Sequence, residues 1–160
     1  MLRHTSILAA VAASGLTFAT VGLAQTPPPA AASAHPHYSQ ALVDLRLARA
    51  LLMVPDDTPA HKFELTAVND IDQAMAEIKH ASIDDGKSPD DHVPIDANVS
   101  HRDRLHEIQS LVEGVTRDLN ADEDDKKALG WRARAIKDVA DAHAFVLAAE
   151  NNEKEKPKKP

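Results

Sequence analysis

The chain has 160 residues, no cysteine, and 25 acidic against 18 basic side chains, for a formal charge of −7. Without cysteine it is neither a disulfide scaffold, nor a lipoprotein, nor a covalent haem carrier of the Cys-x-x-Cys-His type. The acidic balance argues against nucleic acid as a partner, which needs a basic footprint, and the scarcity of aromatic residues (3%) means that any core must be aliphatic.

Arg3 forms a positive start, Ser6 to Val21 an alanine-rich apolar run, and Gly22 and Ala24 the small residues of a cleavage site before Gln25. Residues 1–24 therefore read as a secretory signal peptide, too short and wrongly flanked for a spanning helix. The expected destination is the periplasm or the exterior, with no membrane association once the signal is removed. The remaining 136 residues carry a formal charge of −8, Arg3 being lost. That length makes one domain with a sizeable core. Residues 25–34, with the run TPPPAAASA, read as a Pro/Ala linker. Residues 151–160, NNEKEKPKKP, read as a disordered charged tail. The bundle proper is expected over 35–150.

Four helical periods lie between them. The first follows His35-Pro36, Pro suiting the first helical position; Tyr38, Leu42, Leu45 and Leu52 share a stripe, and Pro55 ends it. The second starts at Thr58-Pro59. Its stripe is Val68, Ile71, Met75, Ile78 and Ser82, with Gly86 as a left-handed cap. The third opens with Ser100 and Asp103 as a capping pair and carries Leu105, Ile108, Val112, Val115 and Leu119. The fourth is expected to open at Asn120 with Glu123. Its inner face is read as Leu129, Ala133, Ile136, Val139, Val146 and Leu147. Two connections are short and one, around Pro89 and Pro94, is long. The fold class is all-α, an antiparallel up-down-up-down four-helix bundle.

In that arrangement seven of the eight mature histidines gather at one end, with His61 at the other. His101 and His143 lie on apolar stripes and are expected to point inward. His35, His37 and His92 could complete a metal site with them, imidazole suiting Zn, Cu or Ni. Asp84, Asp85, Asp91 and Asp96 are candidates for a supporting shell, with Asp90 beside them. The competing reading is a solvated helix end whose buried histidines pair with carboxylates or carbonyls. Glu77-x-x-His80 and Asp103-x-x-His106 fall on outer faces, unlike the inward pairs of di-iron bundles, and are read as surface ion pairs. The Ile83–Lys87 stretch lacks the ligand spacing of a calcium loop. No catalytic constellation is present, so the chain is read as a non-enzyme. Trp131 is read as a boundary residue and Arg49 as near the inner face of its helix.

The stretches HPHYSQALVDLRLARALL, EIKHASIDDGK, DDHVPID and RLHE resemble a family of small exported bacterial helical proteins without an established activity. The likeness spans nearly the whole mature chain and implies no function. The layout is also similar to soluble periplasmic four-helix b-type cytochromes, which hold haem between a methionine early in the first helix and a histidine late in the last. His143 matches the second ligand. The first is missing, since Met53 lies at the wrong end, and ligation would fall to His35 or His37. Haem is therefore disfavoured. The sequence names no protein partner.

Overall fold

The computed structural model describes residues 35–55, 58–81, 85–121 and 126–154. The signal peptide and linker expected over 1–34 lie outside them, as do Ser82, Asp84, Glu123 and residues 155–160. Four helices account for most of what is described: α1 (Pro36–Leu52), α2 (His61–Ala81), α3 (His101–Asn120) and α4 (Leu129–Lys154). The all-α four-helix bundle is as the periodicity leads one to expect, and every neighbouring pair of helices is antiparallel.

The helix ends follow local chemistry. Pro36 occupies the first turn of α1. Ser100 caps α3, its hydroxyl accepting from the Asp103 N–H at 3.2 Å. Gly86 takes φ +69°, the left-handed conformation expected of it, but five residues beyond the end of α2. The fourth helix starts later than Asn120, which is the last residue of α3; α4 begins at Leu129. It then runs on to Lys154, past the expected boundary at 150. Nothing in Asn151-Asn152-Glu153 breaks a helix, and Pro157 is the first residue that disfavours one.

The direction of α3 differs from the up-down-up-down expectation. His37 of α1 lies beside Asp118 of α3, so these two run antiparallel. Arg134 and Trp131 of α4 meet Glu77 and His80 of α2, and His106 of α3 meets Glu150 of α4. His101, opening α3, bonds to Glu64 in the first turn of α2. Both α2 and α3 thus begin at the same end, and the order round the bundle is α1–α2–α4–α3 with α2 and α3 on a diagonal. The sense is up-down-down-up. The short-connection rule that makes consecutive helices antiparallel does not apply to α2 and α3, because the crossover between them travels back along α1.

The helix pairing has a cause in small residues. The most extensive interface is α2 against α4. Ala67, Ala74 and Ala81 recur every seven residues on α2, and Ala135, Ala142 and Ala149 do so on α4; all are buried. A small side chain every second turn keeps one seam facing the partner and lets two backbones approach. Larger aliphatics fill the rest: Leu42, Leu45, Ile71, Ile78, Leu105, Ile108, Val112, Val115 and Leu119 are all at most 1% exposed. Each contributes about 1.5–3 kcal/mol on burial. The inner face of α4 is offset from the expected one, since Leu129 and Leu147 are 43% and 38% exposed and Ala133 faces solvent. Val139 and Val146 are buried and Ile136 packs against the core as expected, and Ala135, Ala142 and Ala149 complete the face.

Candidate functional site

With α3 reversed, the expected histidine cluster does not assemble. His35 and His37 sit at the start of α1, whereas His101 opens α3 beside the start of α2 and the end of α1. Seventeen residues of helix, about 25 Å, separate those ends. His143 lies more than halfway along α4 towards the His101 end, half-buried. His92 is on the crossover, exposed, its Nδ1–H donating to the Val93 carbonyl at 2.7 Å. His35 stacks loosely on Tyr38, and His37 pairs with Asp118 at 3.5 Å. Of the expected supporting carboxylates, Asp85 pairs with Arg46, Asp91 accepts from the Ser88 N–H, and Asp96 accepts from the Asn98 N–H. Asp84 lies outside the described residues. Among the described residues no group of three or more His, Asp or Glu side chains is placed to hold a metal ion.

Two buried glutamates organise the histidines at the far end instead. Glu64 is 2% exposed; His101 Nε2–H donates to its Oε1, and His61 Nδ1–H to its Oε2 at 3.2 Å. The imidazoles approach different oxygens, the geometry of hydrogen bonds to a shared carboxylate. Glu150, 8% exposed, receives His106 Nε2–H at 3.2 Å and the Gln109 amide at 3.0 Å. Both carboxylates had a signal in the sequence. Glu64 is four residues before Val68 and seven before Ile71; Glu150 is four after Val146. A charge at a stripe position needs a partner, because burying it unpaired is prohibitive.

The third buried charge positions the crossover. Arg46 is 1% exposed, although it too falls on its helix's stripe, four residues after Leu42. Its Nη2 donates to both oxygens of Asp85, at 2.9 and 2.7 Å, and its Nε to the Ser88 carbonyl at 3.0 Å. One turn on, Arg49 donates to Asp72 of α2 at 2.8 Å and to Asp90 at 2.7 Å. Lys79 of α2 donates to the Lys87 carbonyl at 2.8 Å. These three cations form a seam between α1 and α2, and residues 85–90 lie over it. Burial alone would push the Asp85 carboxyl up, but the Lys87 N–H and the Arg46 guanidinium more than offset this and hold it below its usual value. Beyond the seam, Lys87, Asp90, Asp91, His92 and Val93 face Val43 and Leu47 of α1 across a groove of about 400 Å³.

The opposite end carries an aromatic contact. Trp131 stacks on His80 at 4.4 Å between ring centroids, and Arg134 lies over the same indole at 4.0 Å while bonding to Glu77. The Glu77 and His80 pair is thus an outward-facing one, as expected. On the outer side of the α2–α4 pair, burial and the nearby Asp141 and Asp138 carboxylates push Asp70 up; burial and the neighbouring Glu77 and Asp141 push Asp138 up.

No protein-family model matches the chain, and neither a curated protein nor a solved structure matches it. Among the described residues no helix is long and apolar enough to cross a membrane.

Proposed function

We propose that this protein is a non-enzymatic helical interaction module, exported to the periplasm or the exterior, which works through its crossover and the cationic seam beneath it. One observation carries the reading: a nearly inaccessible arginine, Arg46, is directed at a surface segment and not at another helix. Residues 85–94 are all exposed, and among the described crossover residues only Ile95 packs against the core. The segment is therefore held by ion pairs and hydrogen bonds, which salt weakens, while the bundle is held by apolar packing, which salt does not weaken. Export is supported by the apolar, small-residue pattern of residues 1–24.

Hydrogen exchange with a sodium chloride titration tests the module reading. Crossover amides should lose protection as salt rises to about 0.5 M, while helix amides keep theirs; screening at that ionic strength is effective within a few ångströms. If crossover and helices lose protection together, the crossover is only a brace and the reading fails.

The transition-metal reading would need the His61, Glu64 and His101 side chains to rearrange, since they share hydrogen bonds and as placed form no ion site; of the histidines expected from the sequence it keeps only His101. A thermal melt after chelation, repeated with Zn, Cu or Ni, separates it. A saturable rise in melting temperature that disappears in His61→Ala/His101→Ala would support a metal there. Equal behaviour of the two proteins would leave the trio as a hydrogen-bonded helix-end clasp.

A further inference from the structure

We infer that residues 85–90 act as an internal substitute for an external ligand, and that the Arg46–Arg49–Lys79 seam recognises an acidic peptide segment of a partner protein. This rests on the module reading above and names its partner's chemistry.

The seam is a built site. Arg46 and Arg49 are three residues apart on α1, so their side chains leave the same face, and Lys79 approaches from α2. All three direct donors at the crossover. Arg46 is 1% exposed, held by packing in the position it uses.

What sits on the seam is short, acidic and attached by contacts that an external chain can copy. Asp85 and Asp90 supply the two carboxylates, and Lys87 and Ser88 supply backbone carbonyls. Neither aspartate brings apolar burial with it. The fit is also incomplete. Asp85 places both oxygens on Nη2 alone, and Arg46 Nη1 is buried with no hydrogen-bond partner among the described residues. A guanidinium can take a carboxylate side-on through two parallel N–H donors, the stronger arrangement. Asp85 does not adopt it, its Oδ1 also accepting the Lys87 N–H at 3.2 Å. A carboxylate from another chain has no such constraint.

Charge selects the class of ligand. The chain is acidic overall, which opposes a long polyanion such as nucleic acid. It leaves the concentrated positive charge of two arginines and a lysine to meet a short acidic segment at contact distance. Two carboxylates about five residues apart, in extended chain with free carbonyls between them, reproduce what the crossover offers.

The probe is a fluorescein-labelled peptide of residues 83–92, IDDGKSPDDH, measured by anisotropy against the full chain. Wild type, its seam already covered, should bind weakly. Asp85→Asn/Asp90→Asn should bind at least tenfold more tightly, with affinity falling about tenfold between 50 and 300 mM salt, and adding Arg46→Gln should remove the gain. Asp90→Asn alone changes only the more exposed contact, Asp90 being 77% exposed; it should show a smaller gain and decides the matter if the double variant loses helix by circular dichroism. If the variants are helical and bind the peptide no better than wild type, the internal-ligand inference is overturned. The module reading fails separately, if salt melts the crossover and the helices together.

Discussion

Replacing His101 by alanine tests the helix-end clasp most directly. Glu64 has a side chain only 3% exposed, and His101 and His61 are its side-chain hydrogen-bond partners among the described residues. Removing one partner of a buried charge costs about 3–5 kcal/mol when nothing replaces it. His61 remains in place, so about 2–3 kcal/mol is the expected loss, the range of a hydrogen bond to a charged group. For a domain of this size that lowers the melting temperature by roughly 6–15 °C. Guanidinium unfolding followed by helical circular dichroism gives the free energy. The control is the cycle with Glu64→Gln. The amide is neutral, so losing His101 should matter less beside it, with about 1–2 kcal/mol of coupling between the two sites. A loss below about 0.5 kcal/mol for His101→Ala, or zero coupling in the cycle, would refute the claim that this pair holds α3 to α2.

Further outcomes follow from the same geometry. Asp85 is held below its ordinary value of 3.8, so its contribution to stability is complete above that value and is lost as pH falls through the lower folded-state value; urea midpoints between pH 5 and pH 2 should fall less steeply in Asp85→Asn than in wild type. Asp70 is raised, with the opposite sign: the folded state disfavours its charged form, so stability declines as pH rises through its titration. Asp70→Asn should therefore be at least as stable as wild type at pH 7 in chemical denaturation. Two glycine substitutions should move thermal melts in opposite directions. Gly86→Ala forces an L residue to φ +69°, costing about 1 kcal/mol; Gly114→Ala adds a methyl at ordinary contact distance (3.5 Å) from Asp44 inside a helix, gaining up to about 1 kcal/mol.

The sequence carried the helices because aliphatic period is a strong local signal. Tyr38, Leu42, Leu45 and Leu52 in α1, and all five stripe residues named for α3, are buried as the spacing implies. In α4 it found Val139 and Val146 but missed Ala135, Ala142 and Ala149, which also face the core, because alanine weighs little in such a pattern. It misjudged the histidines for a different reason. Their grouping depended on the direction of α3, a long-range property set by the α2–α4 and α1–α3 interfaces and by a crossover long enough to run either way. Glu64, Glu150 and Arg46 were legible as charges on apolar stripes. Their partners, 37 to 44 residues distant in the case of His101, Asp85 and His106, were not.

The crossover also divides the molecule in a way that the helix count hides. The largest interfaces, α2 with α4 and α1 with α3, join the first hairpin to the second and not the helices within either hairpin. A single proteolytic cut after the exposed Lys87 would therefore yield two chains, each a helical hairpin, whose cores are completed only by one another. Such a protein is a heterodimer written as one polypeptide. The tether supplies the high effective concentration that lets two incomplete halves find each other at any dilution.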